Sequence, residues 1–170
     1  MGSIINFLTT KRKIMEKKMI EETLSQVAEV ELVYKSKVKP SERPHITSSL
    51  DAYNLVKLLW DEDKIDLMEQ FKVLFMNRAN KILCLYNLSS GGITGTVADP
   101  RLIYAAALKI NAVSLILCHN HPSGNLKPSQ ADIDLTRKIK TAGTYFDMKV
   151  FDHLIITSET YFSFNDEGLL

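Results

Sequence analysis

The sequence lacks most of the features that mark secreted or membrane-bound proteins. Its 170 residues include two cysteines, Cys84 and Cys118, and each lies in an apolar stretch, so we interpret them as buried thiols rather than a disulfide. The apolar run at residues 4–8 is too short for a signal-peptide core or a membrane span. These absences predict a cytoplasmic protein that makes no membrane contact.

Net charge and glycine are also scarce. The formal charge is +1, which gives no electrostatic reason to expect direct nucleic-acid binding. Basic residues cluster between Lys11 and Lys18, but we interpret residues 1–26 as a mobile or solvated N-terminal extension rather than as a contact with nucleic acid or an acidic surface. The first ninety residues contain a single glycine, Gly2, which argues against glycine-rich hairpins in that part of the chain.

What is present suffices for a single domain with its own core, because 45% of the residues are apolar. Residues 27–47 are predicted to form a leading strand and a linker. Val30 and Leu32 alternate there with charged residues, and two prolines bound residues 40–44. We place the main domain at residues 48–170.

Helical and strand-like patterns alternate through the main domain. Ser48 or Ser49 is predicted to cap one helix, Asp99 and Pro100 to start another, and Gly143 to end a third. Apolar runs predict strands at residues 70–76, 82–88, 113–118, 149–157 and 161–164. We therefore predict one α/β domain with a mixed β-sheet flanked by helices.

Polar residues that could bind a metal or take part in catalysis are concentrated between Cys118 and Asp132, directly after the predicted strand 113–118. Residues two apart in a strand point to the same face, so His119 and His121 can present both imidazoles to one point. Cys118 points to the opposite face, which makes it a poor third ligand.

A carboxylate follows at helical spacing. Ser129 is expected to cap the next helix, and Asp132 lies on the side of that helix that can reach back to His119 and His121, whereas Asp134 lies on the outer side. Two imidazoles and one carboxylate leave a fourth position open, as in catalytic zinc sites. The alternative is that Ser129 and Asp132 form only a capping box and the histidines are ordinary strand-end residues. We favour the metal, because three ligands converge through one loop.

The same residues resemble a known signature. The run from His119 to Asp132 reads His-x-His, seven residues, then Ser-x-x-Asp, and it is similar to the JAMM signature of JAB/MPN metalloproteases. Residues from about 27 to 170 resemble the RadC-like JAB proteins of bacteria. Matching stretches are Glu69–Phe71, Ser90–Gly92, Asp99–Pro100, Ala105–Leu108 and Asp152–His153.

The resemblance implies a JAB/MPN architecture, which is similar to that of cytidine deaminases. It implies a zinc-dependent hydrolase of the metallopeptidase or isopeptidase type, with a peptide or isopeptide as substrate. It also implies one Zn²⁺ per chain, bound by His119, His121 and Asp132, that lowers the pKa of its water towards ~7. No oligomeric state is predicted.

Hydrolysis also needs a carboxylate that takes a proton from that water and transfers it to the leaving amine. Spacing alone cannot choose among Glu62, Asp66, Glu69 and other acids of the chain for this role. The resemblance selects Glu69, because the family's catalytic glutamate precedes a strand, and it assigns Ser129 to the developing oxyanion. The alternative for Glu69 is an exposed acid at the start of a strand.

A second function stays open, that of a metal-stabilised interaction module associated with DNA repair or replication and without turnover. The helix-hairpin-helix of longer RadC proteins needs glycine-rich hairpins, and these have no counterpart in the first ninety residues. A deaminase is disfavoured, because the His-x-Glu and Pro-Cys-x-x-Cys motifs of zinc deaminases are absent from the sequence. For Asp152 and His153, support of the metal site and plain core packing are both open, and we favour packing.

Overall fold

The structure is a computed structural model that describes residues 12–22, 36, 38–91 and 98–170. Two compact units divide the chain, Met1–Leu32 and Val33–Leu170. In the first unit, residues 12–22 form helix α1, which is exposed throughout and carries i,i+4 ion pairs such as Arg12–Glu16 at 3.0 Å. The leading strand predicted around Val30 lies outside the described residues.

The second unit contains a mixed five-stranded sheet with helices on both faces. The helices are α2 (Ser49–Leu58), α3 (Glu62–Ile65), α4 (Pro100–Lys109) and α5 (Gln130–Thr144), and the strands are β1 (Gln70–Met76), β2 (Ile82–Ser90), β3 (Ser114–Asn120), β4 (Lys149–Ile156) and β5 (Tyr161–Ser163). The strand order is β2-β1-β3-β4-β5, with β3 and β4 parallel and the other neighbours antiparallel. This confirms the predicted α/β fold.

The helix starts follow from local side-chain chemistry. Ser48 caps α2 through a capping box with Asp51, in which each side chain binds the other residue's backbone N–H. Asp99 caps α4, and Pro100 occupies its first turn, where the missing N–H has no consequence. The sequence therefore predicts both starts correctly.

The central strand β3 is buried on both faces, as its apolar sequence requires. Leu115 and Leu117 pack on the side of α4 and α5, whereas Ile116 and Cys118 pack on the side of α2. This alternation places His119 on the α5 side and Cys118 on the other, as expected.

The order of the strands brings three distant parts of the chain to one edge of the sheet. The crossover from β3 through α5 to β4 brings the start of α5 to the carboxyl end of β3. Strand β1 runs antiparallel to β3 and begins at the same edge, where Phe71 pairs with His119. Residues that precede β1, follow β3 and start α5 therefore meet there.

Both cysteines are free, Cys84 half-buried and Cys118 buried, as predicted. Among the helices in the described part of the chain, none has the length and apolar content that crossing a membrane requires. The cytoplasmic location stays a prediction.

Gly143 does not end α5, because the helix continues to Thr144 and Tyr145 follows as its C-cap. A Cβ at Gly143 would lie 2.5 Å from the Met148 carbonyl oxygen and 2.8 Å from the Tyr104 hydroxyl. The glycine is therefore needed for close packing rather than for a helix stop.

Gly143→Ala should lower the free energy of unfolding by about 1–3 kcal/mol, the usual cost of overpacking. The contact is with backbone, so the clash should outweigh alanine's helix preference of ~1 kcal/mol. Chemical denaturation would measure it, with the exposed Lys140→Ala in the same helix as a control. An unchanged midpoint for Gly143→Ala would contradict this account of the packing.

Candidate metal centre

The two histidines of the His-x-His stretch point to one place. His119 lies in β3 and is 3% exposed, and the backbone N–H of His121 continues the ladder by donating to the Ile156 carbonyl at 3.0 Å. The Nε2 atoms of the two rings are 3.0 Å apart. The His119 ring is also parallel to the Phe71 ring, at 5.9 Å between centroids, which helps to fix its plane.

Asp132 joins the histidines from the first turn of α5. Its Oδ2 accepts hydrogen bonds from the Ser129 hydroxyl at 2.6 Å and the Ser129 backbone N–H at 2.7 Å. Its Oδ1 lies 3.3 Å from His119 Nε2, and Oδ2 lies 3.9 Å from His121 Nε2. The capping box and the convergence on the histidines therefore coexist, because Oδ2 accepts the hydrogen bonds from Ser129 while Oδ1 lies nearest to His119.

These three residues fit a zinc ion. Their ligand atoms all lie within 4.8 Å of one another. Ligands of a tetrahedral zinc held at 2.0–2.1 Å are separated by roughly 3.3 Å. The 3.0 Å between the two Nε2 atoms and the 3.3 Å from His119 Nε2 to Asp132 Oδ1 are close to that value. His121 Nδ1 lies 2.5 Å from the Asn125 carbonyl, which can only accept, so the hydrogen is on Nδ1 and the Nε2 lone pair faces the group. Three ligands leave one coordination position for water or substrate.

His119 is held in the form that can bind a metal. Burial lowers its pKa to about 4, a shift that the nearby Asp132 carboxylate opposes and His121 reinforces. The ring is therefore neutral at pH 7, and a neutral imidazole is what a metal requires.

His153 contacts the site from the next strand. Its Nε2 lies 2.8 Å from His119 Nδ1, and its Nδ1 lies 2.6 Å from the Thr136 hydroxyl. The ring is fully buried and stacks on Phe164 at 4.7 Å, so the packing interpretation describes only part of its role. The adjacent Asp152 instead accepts a hydrogen bond from the Ser163 hydroxyl at 2.6 Å.

Glu69 lies at the same edge of the sheet, immediately before β1, and is half-buried. Its backbone carbonyl accepts from the Gly91 N–H at 2.8 Å. In the described part of the chain its carboxylate makes no hydrogen bond or ion pair, and it is not among the ligand atoms that converge with His119 and His121. Two other candidate acids, Glu62 and Asp66, are exposed, the first in α3 and the second directly after it.

Asn120, the middle residue of His-x-His, positions the turn that carries Glu69. It is fully buried, accepts from the Gln70 N–H at 2.7 Å and donates to the carbonyls of Ile65 and Met68 at 2.6 and 2.9 Å. Sequence reasoning overlooked this residue. The sequence feature that points to it is a polar side chain at a core-facing position between two candidate ligands.

Comparison with known proteins gives the chain a family context. Residues 46–169 match the family model described as RadC-like JAB domain. A UPF0758 protein of Flavobacterium johnsoniae is 52% identical over 124 residues, which cover 73% of this chain and 53% of that protein. A UPF0758 protein of Porphyromonas gingivalis is 44% identical over 130 residues, covering 75% of this chain and 56% of that protein. The chain thus spans about half the length of the curated relatives it matches.

Proposed function

Because the chain belongs to the RadC-like JAB domain family, we propose that it is a zinc-dependent hydrolase of the metallopeptidase or isopeptidase type. The observation that carries the proposal is the convergence of His119, His121 and Asp132 on one point, with a coordination position left over. One zinc ion per chain is proposed. When bound, it supplies Lewis acidity and lowers the pKa of a water molecule to about 7.

Glu69 is proposed as the general base. It takes a proton from the attacking water and passes it to the leaving amine. The family resemblance selects Glu69, and three features of the chain support the choice. Glu69 precedes the strand that pairs with β3, its carboxylate is free of other partners among the described residues, and Asn120 anchors its turn to the strand of His119.

Ser129 is proposed to stabilise the oxyanion that develops on the substrate carbonyl. Its hydroxyl is exposed and adjoins the carboxylate of Asp132. To serve the oxyanion, the hydroxyl rotates its proton away from Asp132 Oδ2, and the Ser129 backbone N–H keeps that oxygen bound.

A polypeptide substrate suits the exposure of the site. The side chains of His121 and Asp132 are 14% and 16% exposed, and Ser129 is exposed beside them. A main-chain or side-chain amide of a large partner can reach an edge of this kind. The JAMM resemblance supports an amide as the bond that is cleaved.

Cleavage of amide bonds by the purified protein should depend on metal. Zinc-loaded protein is incubated with a library of fluorogenic peptides and isopeptide-linked peptides, then again after treatment with a chelator and after zinc is returned. We expect cleavage that is lost on chelation and restored by zinc, because the three ligands by themselves supply no Lewis acid. Zinc-loaded protein that cleaves no member of the library would contradict the hydrolase and favour the interaction module.

A further inference from the structure

A chain of three hydrogen bonds runs behind the candidate metal ligands. It starts at the backbone carbonyl of Asp132, passes through Thr136 Oγ1 and the ring of His153, and ends at His119 Nδ1, with distances of 2.6, 2.6 and 2.8 Å. Thr136 is 2% and His153 is 0% exposed. In a buried chain each hydrogen must lie between a donor and an acceptor, so its direction can be worked out from one end.

The first bond sets that direction. A backbone carbonyl only accepts, so the Thr136 hydroxyl donates its one hydrogen to Asp132 O. Threonines inside helices commonly bond to the preceding turn in this way. The Thr136 oxygen can then only accept from the ring, which places a hydrogen on His153 Nδ1.

The His153 ring transmits this direction to His119. Among the described residues the ring nitrogens of His153 contact only the Thr136 hydroxyl and the His119 imidazole, and neither is an anion; the Asp152 carboxylate accepts from the His153 backbone N–H and not from the ring. A charged imidazolium there would be buried without a counter-charge, so the ring is neutral and carries a single hydrogen. With that hydrogen on Nδ1, His153 Nε2 has a lone pair and accepts from His119 Nδ1–H.

We propose that Thr136 and His153 are positioning residues that hold His119 as its Nδ1–H tautomer, with the Nε2 lone pair aimed at the metal position. The inference rests on the proposed metal centre. Free neutral histidine in water favours the Nε2–H tautomer, which would place a hydrogen where the metal binds. In this chain His119 Nε2 lies 3.0 Å from His121 Nε2 and 3.3 Å from Asp132 Oδ1, among atoms that all offer electron pairs.

The chain of hydrogen bonds also connects two candidate metal ligands through atoms that do not face the metal position. Asp132 faces the centre with its carboxylate and anchors the chain with its backbone carbonyl, while His119 faces the centre with Nε2 and ends the chain with Nδ1. A partner that orients a metal-bound histidine typically contributes about 10–100-fold to metal affinity. The readout is therefore zinc binding, which needs no substrate.

Thr136→Val keeps the shape of the side chain and removes the hydroxyl. Its zinc affinity, measured by competition with a chromophoric chelator, should fall by about 10-fold. Thr136→Ser restores the hydroxyl and should return the affinity to near the wild-type value. Thr144→Val is the matched control, because the Thr144 hydroxyl also donates within α5, to the Thr141 carbonyl at 2.7 Å, but is exposed. It should bind zinc as the wild type does.

A second pair of variants tests the other residue. His153→Leu removes both links and should weaken zinc binding by about 10–100-fold. His153→Gln can return an amide oxygen to the position that accepts from His119 Nδ1–H, so it should recover part of the loss. If His153→Leu does not fold, the Thr136 pair decides.

The tautomer itself can be observed without metal. Nitrogen-15 shifts of the imidazoles in metal-free protein should identify His119 as Nδ1–H in the wild type and move towards Nε2–H in Thr136→Val. A purely structural role of Thr136 would leave the tautomer unchanged. An Nε2–H His119 in the wild type, or a Thr136→Val protein with unchanged tautomer and affinity, overturns the proposal. If the wild type binds no zinc, the metal centre fails, and the tautomer alone still decides for or against the relay.

Discussion

Replacing His121 by Ala should lower the affinity of the protein for zinc by more than about 100-fold, since a lost ligand costs more than a lost outer partner. The fold should survive, because the side chain is partly exposed. Apart from the His119 ring, its one hydrogen-bond partner among the described residues is the Asn125 carbonyl, in an exposed loop where water can replace it. Elemental analysis after dialysis should find about one zinc per wild-type chain. The variant should contain almost none, with an unchanged unfolding midpoint.

His45→Ala is the matched control for this experiment. His45 is exposed, and its contact with Lys81 is an isolated backbone bridge. Asp132→Asn adds a second arm, because the amide oxygen can still cap α5 while the negative charge is lost. Zinc retained at wild-type affinity by both His121→Ala and Asp132→Asn would show that the metal, if present, lies elsewhere.

Local sequence patterns were sufficient for the part of the site that one continuous stretch encodes. Strand alternation brings His119 and His121 together, and a capping box fixes Asp132 relative to Ser129. The capping box and the metal ligand are alternatives in the sequence, yet the structure accommodates both roles in Asp132. A carboxylate has two oxygens, and the first turn of a helix that starts beside a strand end can face both ways.

Contacts that join distant parts of the chain could not be predicted from patterns of this kind. The bond between His119 and His153 depends on the register of two parallel strands, which includes an irregularity between Leu115 and Ile116. A shift of one residue there would turn His153 to the other face of the sheet. The close approach at Gly143 depends likewise on how α5 packs against the strand that follows it.

Replacing Glu69 by Gln should reduce hydrolysis by about 10²–10⁴-fold while zinc content stays unchanged, the usual contribution of a positioned acid–base group. Glutamine has nearly the same shape and volume but cannot take up a proton at neutral pH. The carboxylate has no partner among the described residues, and the bond from the Gly91 N–H goes to the Glu69 backbone. Stability should therefore change by no more than about 0.5 kcal/mol. The measurement is kcat/KM on the library member that wild type cleaves best, with zinc content determined on the same samples.

Glu62→Gln makes this comparison specific, because it is the same substitution at an exposed acid of α3, a few residues earlier. It should cleave as the wild type does. If Glu62→Gln and Glu69→Gln lose activity equally, the loss reflects the charge of that segment and not a proton transfer at Glu69. If Glu69→Gln cleaves as fast as wild type, the general base is another residue. If it also loses zinc, Glu69 acts on the metal ligands rather than on the water, and its assignment as a general base fails.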